Sequence, residues 1–352
     1  MAIQTCLLYG ANGYTGQLIS ALAASFNLQP ILAGRNSAAL QSLGEKLNLP
    51  WVAFDLEHKQ TIQQHIKGIK VVIHAAGPFQ RTAKNMIEAC IAEKVHYIDI
   101  TGEINVFELA KSYHQQAVET GVMLMPGAGF DVVPTDCMAA YLKSKLPDAQ
   151  QLLLAFASKG GGLSHGTATT MIMGLGEGGA ARKNGKIVKE PLGKIGKSIT
   201  FGDETFFMMS IPWGDVSTAF TTTQIPNINT LTSVKKWIYN ILKLQILFNP
   251  FLKLSMVRNY FQRRVNAMPA GPSTEKLKKS YSLIWGEVGN AAGEKRSASM
   301  RVANGYSLTA YSSLLIAKKI IEGNFKPGYQ TPALAYGANL ILEIEGSCWI
   351  KE

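Results

Sequence analysis

The sequence has few cysteines, and they lie far apart. Only four occur among 352 residues, and none forms a CxxC pair or a Cys/His spacing typical of zinc ligands. This argues against a structural zinc site or a disulfide scaffold, so we predict no metal site and expect reduced, mostly buried thiols. The four residues are Cys6, Cys90, Cys137 and Cys348.

Targeting and membrane-spanning segments are also missing from the pattern. The chain opens on a strand-like stretch, Thr5–Tyr9, rather than on a basic start followed by a long apolar run, so we expect no signal peptide and a cytoplasmic protein. The most apolar stretch, 237–257, is interrupted by lysines, asparagines and Pro250, which argues against a spanning helix. We find no internal repeat and no low-complexity segment.

Composition and charge narrow the class of protein further. The 47% apolar and 17% charged residues are typical of a globular chain, and 352 residues exceed the ~100–200 of a common domain, which predicts two domains. The net charge of +11 attracts phosphates of nucleotides, nucleic acids or lipids. No nucleic-acid motif accompanies this charge, so we predict no nucleic-acid partner.

What is present, over the first 126 residues, is a regular alternation of short apolar runs and helical patterns. This alternation predicts a doubly wound parallel sheet of the Rossmann type, with helices on both faces. The predicted strands are Thr5–Tyr9, Pro30–Ala33, Trp51–Asp55, Val71–Ala75, Tyr97–Ile100 and Val122–Pro126. The helical patterns are Gly16–Ser25, Ala38–Leu47, Lys59–Ile66, Ala83–Glu93 and Val106–Glu119.

The pattern changes after Pro126 and predicts a second α/β domain with a mixed sheet. We expect strands at Leu152–Ala157, Ile199–Phe201 and Ser217–Gln224, a turn-rich region over 176–202, and helices over Thr167–Leu175, Tyr311–Glu322 and Pro332–Glu343. The predicted dinucleotide-binding domain is 1–148, followed by a second domain over 149–304 and a C-terminal segment over 305–352.

A glycine motif directly follows the first strand: Gly10-Ala-Asn-Gly13-Tyr-Thr-Gly16. Three glycines at this spacing let the chain turn sharply and bring backbone amides close to a pyrophosphate, and the next helix adds oriented N–H groups. Its position between a strand and a helix is the context that such a motif requires. The residues predicted to bind the dinucleotide here are Gly10, Asn12, Gly13, Tyr14, Thr15 and Gly16.

The second strand is followed by Arg35 and Asn36, at a place where NAD-binding domains usually carry an acidic residue. A guanidinium group can bind the 2′-phosphate of NADP with two hydrogen bonds. We therefore predict NADP(H) as the cofactor, and NAD(H) stays open as the alternative. Arg35 is also explained as an exposed surface arginine that binds no ligand.

The ends of the later strands supply further candidates, because ligands of such sheets bind beyond the carboxyl ends of the strands. Asp55 is suited either to accept a hydrogen bond from the adenine amine or to cap the next helix. Small residues after the fourth strand allow a close approach to the cofactor. The additional predicted cofactor-binding residues are Ala76, Gly77, Pro78, Thr101, Gly102 and Glu103.

Several of these motifs together resemble the saccharopine dehydrogenase-like oxidoreductases, and more specifically the branch of trans-acting enoyl reductases. The resemblance runs along nearly the whole chain and includes Ala76–Phe79, Tyr97–Glu103, Gly166-Thr167 and, most specifically, Gly129-Phe-Asp131-Val-Val-Pro134-Thr-Asp136. It implies a Rossmann domain joined to an α/β domain with a mixed sheet, and a C-terminal segment that returns to the Rossmann domain. It also implies a homodimer that reduces a C=C or C=N bond with NAD(P)H.

The second domain favours one substrate class over another. Saccharopine dehydrogenases bind a polar amino-dicarboxylate, which requires arginines, but 152–220 contains a single arginine, Arg182, among many apolar residues. We therefore expect an enoyl C=C bond in an apolar or lipidic small molecule, either free or bound to a carrier. The alternative enzyme is a C=N reductase of a small amino-acid imine.

The stretch 235–264 carries both apolar and basic residues and leaves a third alternative open. It is typical of an amphipathic segment at a membrane surface, which would suit a non-catalytic, nucleotide-binding, membrane-associated protein. It is also explained by two short helices packed on the domain or on a second subunit.

Hydride transfer requires a group that donates a proton or stabilises the developing charge. The candidates are Ser164, His165 and Tyr14. Ser164 is equally explained as a helix N-cap, with His165 as the first residue of that helix, and Tyr14 as a support of the glycine loop. We interpret Asp131 as a structural residue that fixes the turn before Pro134.

Overall fold

A computed structural model describes residues 6–160, 162 and 164–351 of the chain, so Thr5 of the first predicted strand lies outside the described residues. The chain forms two compact units. The first unit extends to Val133 and includes Tyr306–Ala335, and the second contains Pro134–Gly305 and the residues from Tyr336 onward. No helix of the described residues combines the length and the apolar character needed to cross a membrane.

Strands and helices alternate through the first part of the chain, with a short 3-10 helix at Ala23–Phe26. The elements are β1 (Cys6–Tyr9), α1 (Tyr14–Leu22), β2 (Ile31–Gly34), α2 (Ser37–Leu47), β3 (Trp51–Ala53), α3 (Lys59–Ile66), β4 (Val71–His74), α4 (Phe79–Glu93), β5 (His96–Asp99), α5 (Ile104–Ser112), α6 (His114–Thr120), β6 (Met123–Met125) and α7 (Val133–Lys145).

The later part of the chain contains longer strands, a run of short helices and a second 3-10 helix at Ala338–Glu343. The elements are β7 (Gln151–Lys159), α8 (His165–Met173), β8 (Gly179–Lys183), β9 (Lys186–Glu190), β10 (Gly196–Phe201), β11 (Glu204–Ile211), α9 (Asp215–Thr223), β12 (Asn227–Ser233), α10 (Lys236–Leu242), α11 (Gln245–Leu252), α12 (Ser255–Asn266), α13 (Thr274–Lys279), β13 (Tyr281–Gly289), β14 (Lys295–Ala303), α14 (Gly305–Ile321), β15 (Gly328–Tyr329), α15 (Pro332–Tyr336) and β16 (Cys348–Lys351).

The first unit contains a parallel sheet in the order β15-β6-β5-β4-β1-β2-β3. Six of these strands follow the order of a dinucleotide-binding sheet, so the predicted Rossmann fold is confirmed. Strands β1 and β4 are buried along their whole length, as expected for a sheet covered on both faces. Tyr9 of β1 pairs with Ala33 and His74, and His74 pairs with Asp99, so the carboxyl ends of these strands are aligned at one edge.

The second unit contains a mixed sheet in the order β10-β11-β12-β7-β13-β14-β16, as predicted. Strands β12 and β7 are parallel, whereas the other neighbours along this order are antiparallel. Helix α7 packs closely on this sheet, since a Cβ at Gly286 would lie 2.5 Å from Leu142 Cδ1. The rings of Tyr141 on α7 and Trp349 on β16 also lie 4.4 Å apart.

Because α7 packs on the mixed sheet, it belongs almost entirely to the second unit. The first unit therefore ends at Val133, earlier in the chain than the predicted boundary at 148. The C-terminal segment 305–352 is divided between the two units. Strand β15 joins the parallel sheet of the first unit, whereas β16 extends the mixed sheet of the second. Of the four cysteines, Cys6, Cys90 and Cys137 are buried and Cys348 is exposed.

Two local predictions in the second unit are wrong. The predicted strand Ser217–Gln224 is helix α9, in which the hydroxyl groups of Thr222 and Thr223 donate to the carbonyls of Thr218 (3.3 Å) and Ala219 (2.6 Å). The turn-rich region 176–202 holds β8, β9 and β10, and of these three only β10 contains a predicted strand, Ile199–Phe201. The Asn184-Gly185 pair, with φ of 47° and 78°, forms the tight turn of the β8–β9 hairpin. These turn-forming residues therefore connect two strands and do not indicate a region without strands.

Candidate dinucleotide site

The glycine loop that follows β1 is too tightly packed for any other residue at two of its positions. Gly10 has φ +88°, and a Cβ there would lie 2.8 Å from the Ala75 carbonyl carbon. A Cβ at Gly16 would lie 2.2 Å from the Gly10 carbonyl oxygen. The two glycines therefore bring α1 and the end of β4 against the loop, as a close approach of backbone to a ligand requires.

The N-terminus of α1 is suited to an anion. The helix begins at Tyr14. Its N-cap residue, Gly13, has an extended backbone and no side chain that could accept from the first N–H groups of the helix. Its first turn also carries no acidic residue. An N-terminus of this kind presents backbone N–H groups and a partial positive charge, so it fits the pyrophosphate of a dinucleotide.

The charges of Arg35 and Asp55, two predicted cofactor-binding residues after different strands, both influence the Tyr9 hydroxyl. The Tyr9 hydroxyl donates to the Phe54 carbonyl oxygen at 2.9 Å. Burial raises the pKa of Tyr9 to about 12, while the charge of Arg35 lowers it and that of Asp55 raises it. Arg35 is exposed at the end of β2 and is therefore accessible to a phosphate.

Asn36 and Asp55 also shape the loops in which they lie. Asn36 Oδ1 accepts from the Ala39 backbone N–H at 3.0 Å and caps α2. Asp55 Oδ1 accepts from the Glu57 N–H at 2.9 Å, which forms a tight turn before α3. The cap residue of α3 is His58, so the alternative in which Asp55 caps this helix is wrong.

Glu103 is used to hold two loops together. Its carboxylate accepts from the backbone N–H groups of Phe79 and Gln80, both at 2.9 Å, and so caps the N-terminus of α4. Burial raises the pKa of Glu103, while the two N–H donors lower it. The loop with Ala76, Gly77 and Pro78 is thereby fastened to the loop after β5. Sequence reasoning missed this role and assigned Glu103 to the cofactor alone.

A buried polar network below this edge of the sheet was also missed. The Tyr97 hydroxyl donates to Asp99 Oδ2 at 2.7 Å, and His74 Nδ1 lies 3.1 Å from the same hydroxyl. Asp99 Oδ1 accepts from the N–H groups of Thr101 and Gly127, both at 2.9 Å. Burial raises the pKa of Asp99 to about 7 and lowers that of His74 to about 3.

The network positions the loop that carries Thr101 and Gly102. A sequence signal for it existed, because Tyr97 and Asp99 are two residues apart in a strand and so share one face of the sheet. Polar residues on a strand that is otherwise buried require partners, which here are a neighbouring strand and two loop amides.

The Gly129–Asp131 turn packs against the same loop. A Cβ at Gly102 would lie 2.6 Å from Asp131 Oδ2, so this position accepts only glycine without a shift. The Phe130 N–H donates to Thr309 Oγ1 on α14 at 2.9 Å. Burial raises the pKa of Asp131 to about 7. The most specific motif of the sequence thus lies beside a predicted cofactor loop.

The three predicted catalytic residues lie in different units. In the first unit, the rings of Tyr14 and Tyr306 meet edge to face with centroids 5.0 Å apart, and burial raises the pKa of Tyr14. In the second unit, Ser164 Oγ accepts from the Thr167 N–H at 3.3 Å, which confirms its interpretation as the N-cap of α8. His165 Nε2 lies 2.6 Å from the Met268 carbonyl oxygen. A catalytic role for these residues stays a prediction.

Comparison with known proteins agrees with this geometry. Residues 6–125 match the family model described as the saccharopine dehydrogenase NADP binding domain. The human saccharopine dehydrogenase-like oxidoreductase is 29% identical over 202 residues, which cover 50% of this chain and 47% of that protein. The trans-acting enoyl reductase of Mycobacterium ulcerans (strain Agy99) is 31% identical over 147 residues, which cover 39% and 34%. The chain thus spans about half the length of the curated relatives it matches.

Among solved structures, apo saccharopine dehydrogenase (L-Glu forming) from Saccharomyces cerevisiae is similar in fold, with a TM-score of 0.66 and 13% identity. The alignment covers 97% of this chain and 96% of that one. The likeness in fold therefore extends well beyond the nucleotide-binding residues. Residues 6–125 are thus similar to the NADP binding domain of saccharopine dehydrogenases, and about half of the chain is similar in sequence to saccharopine dehydrogenase-like oxidoreductases.

Proposed function

We propose that this protein is an NADP(H)-dependent oxidoreductase that reduces an activated carbon–carbon double bond in an apolar or lipidic substrate. The NADP binding domain supports the cofactor, and the relatives named trans-acting enoyl reductase support the reaction class. The substrate is a small molecule or an acyl chain held by a carrier.

The contacts of Arg182 are the observation that favours an apolar substrate over a dicarboxylate. This residue is buried, its Nε donates to the Val216 carbonyl oxygen and its Nη1 to that of Gly185, both at 2.5 Å. The guanidinium also lies 4.1 Å from the centre of the Phe220 ring. A dicarboxylate is bound best by guanidinium groups that offer paired donors. The single arginine of 152–220 is instead used within the fold, which favours an apolar substrate.

The residues of the first unit have distinct tasks in this proposal. The glycine loop and the N-terminus of α1 hold the pyrophosphate, and Arg35 binds the 2′-phosphate. The cofactor supplies the hydride when it is bound. Asp99 and Glu103 fix the loops after β4 and β5, so that these loops need no reordering when the ligand binds. Tyr14, Ser164 and His165 remain the candidates for delivering the proton.

The cofactor assignment is tested by titrating the purified protein with NADPH and with NADH while following fluorescence. We expect tighter binding of NADPH, and in Arg35→Ala a loss of about tenfold or more that affects NADPH alone, since a charge-assisted phosphate contact is lost. Lys46→Ala removes another exposed cation, from α2, and serves as the control. Equal affinities of the wild type for both cofactors would remove Arg35 as a phosphate ligand.

The substrate class is tested by following NADPH oxidation with enoyl thioesters of increasing chain length. We expect activity that rises with chain length, because a longer chain buries more apolar surface. A parallel assay supplies a small amino acid together with an oxo acid. Oxidation that depends on the amino acid, with no turnover of enoyl thioesters, would replace the proposal by a C=N reductase.

A further inference from the structure

Helices α10, α11 and α12 carry large apolar side chains that face solvent. We call residues 235–268 the basic apolar segment. Met256 is 81% exposed and Phe251 is 65% exposed, although surface helices usually bury such residues against the core. Among the side chains that the structure describes in this segment, the large exposed apolar ones are Trp237, Ile241, Leu244, Phe248, Phe251, Leu254, Met256, Tyr260, Phe261 and Met268.

Both polar and apolar side chains attach the segment to the second unit, and Val265 of α12 is buried. Gln245 is buried, and its Nε2 donates to the Leu192 carbonyl oxygen at 2.7 Å while its Oε1 accepts from the Leu192 N–H at 2.9 Å. Gln262 Nε2 donates to Thr169 Oγ1 at 3.0 Å. The segment is thus held by a few inward-facing side chains, while large apolar side chains along it face solvent.

The charge of the segment has one sign. No Asp or Glu occurs in the sequence between Asp215 and Glu275, whereas the segment contains seven Lys and Arg residues. Lys253 and Arg258 reach Glu177 at 3.5 and 2.9 Å. In the part of the chain that the structure describes, the other five cations are exposed and form no ion pair with a carboxylate; they are Lys235, Lys236, Lys243, Arg263 and Arg264.

We propose that the basic apolar segment binds the surface of an anionic lipid bilayer, with α10–α12 lying in the interface. Apolar side chains that enter the headgroup region and cations that reach lipid phosphates are the two contributions that hold such segments. Trp237 and Tyr260 add rings with one polar edge, which suit this boundary. The longest of the helices, α12, has 12 residues and spans about 18 Å, short of the ~30 Å hydrocarbon core.

Charge favours the lipid surface over a second copy of this chain. A symmetric dimer places the same patch of both subunits face to face. The five cations of one copy would then meet the five of the other without an acidic residue between them, which opposes association. An anionic bilayer supplies the missing negative charge. This inference does not depend on the proposed reaction.

Flotation of the purified full chain with vesicles tests the proposal. We expect binding to vesicles that mix phosphatidylglycerol with phosphatidylcholine, weaker binding to phosphatidylcholine alone, and release as salt rises, since salt screens exposed charges. Failure of the wild type to float with the mixed vesicles would overturn the proposal.

Two pairs of substitutions separate the apolar and the electrostatic contributions. Trp237→Ser and Phe251→Ser should each weaken binding about tenfold, because each removes a large side chain from the interface. Lys235→Gln and Arg263→Gln should each weaken it about fivefold. The matched controls are Val118→Ser, at an exposed apolar position of the first unit, and Lys46→Gln with Lys67→Gln, at exposed cations of the same unit.

Light scattering on the same samples tests whether a second copy of this chain, rather than a lipid surface, covers the segment. If the wild type is a dimer that Trp237→Ser with Phe251→Ser dissociates, and neither protein floats, the segment is an interface between two copies. If the segment variants and the control variants float alike, the segment is not the lipid contact. Circular dichroism confirms that each variant keeps its fold.

Discussion

The glycine loop at 10–16 and the basic apolar segment at 235–268 suit phosphate-bearing partners by opposite means. In the loop, backbone atoms are placed so closely that one methyl group at Gly16 would lie 2.2 Å from the Gly10 carbonyl oxygen. In the segment, exposed side chains point to solvent, and in the proposed binding each would contribute separately. A site made from backbone geometry therefore depends on single positions, whereas a surface made from exposed side chains changes gradually.

The largest effect is expected for Gly16→Ala. The added Cβ would displace the Gly10 carbonyl or Ala11, so we expect the free energy of unfolding to fall by about 3 kcal/mol and NADPH binding to be lost. Urea unfolding and NADPH titration measure the two effects. Gly166→Ala in α8 is the control, because among the described residues its Cβ would come near only Ser164 Oγ, at 3.9 Å. Equal stability of Gly16→Ala and wild type would show that the loop is not sterically constrained.

The buried network beneath the loop gives a pH-dependent effect. The folded pKa of His74, about 3, lies below the value of about 6.5 in an unfolded chain. The unfolded state therefore binds a proton that the folded state excludes, and stability falls as pH decreases from 6.5 towards 3. The slope from this residue is up to about 1.4 kcal/mol per pH unit.

We expect His74→Gln to remove this slope, as measured by urea unfolding at a series of pH values. His58→Gln is the matched substitution at an exposed position. Asp99 acts in the opposite direction, because its pKa of about 7 lies above its unfolded value, so its contribution is lost as pH rises from 4 to 7. A wild-type slope that His74→Gln leaves unchanged would mean that other groups cause the acid sensitivity.

A smaller effect is expected for Glu103→Ala, which removes the cap of α4. We expect a loss of about 1 kcal/mol in the free energy of unfolding, typical of a helix cap. Glu45→Ala is the control, since it removes an exposed carboxylate that accepts from Gln41 of its own helix at 2.9 Å. If Glu103→Ala weakens NADPH binding at unchanged stability, Glu103 is a cofactor ligand, as the sequence predicted, and its capping role is minor.

The smallest effect on stability belongs to the basic apolar segment. Phe251→Ser should change the free energy of unfolding by no more than about 0.5 kcal/mol, because the side chain is 65% exposed and leaves little packing behind. The measurement is thermal unfolding of this variant and of Phe156→Ser, which replaces a buried phenylalanine of β7 and should lower stability much more. A large loss in Phe251→Ser would show that the side chain supports the fold rather than facing a partner.

The Rossmann sheet could be predicted from the sequence because its signals are local. Buried parallel strands are continuous apolar runs, and α3 has the bounds Lys59–Ile66 that the pattern predicts. Helix α9 could not be predicted in this way. Its Ser- and Thr-rich sequence favours a strand, but buried Asp215 at its start accepts from Thr135 at 2.6 Å, a partner 80 residues away.

The same contrast holds within the candidate site. The glycine loop is visible as a motif because backbone conformation selects glycine. The loops after β4 and β5 depend on Glu103 and Asp99, which accept from backbone N–H groups of these loops, and a backbone N–H group leaves no mark on the sequence of its loop. The predicted cofactor-binding residues lie after the strands of one sheet, and the coordinates add that Glu103 also holds a loop; which of them bind the dinucleotide stays a prediction.

The strand β15 has a consequence for how the protein is made. It pairs with β6, yet some two hundred residues that belong mostly to the second unit separate the two strands along the chain. A ribosome delivers the N-terminal part first, and domains commonly fold as they emerge. Here the first unit lacks its outer strand and the α14 helix until nearly all of the chain has been synthesised. The first unit therefore waits with β6 as an unprotected edge, and the second unit is translated as far as Gly305 before that edge is covered.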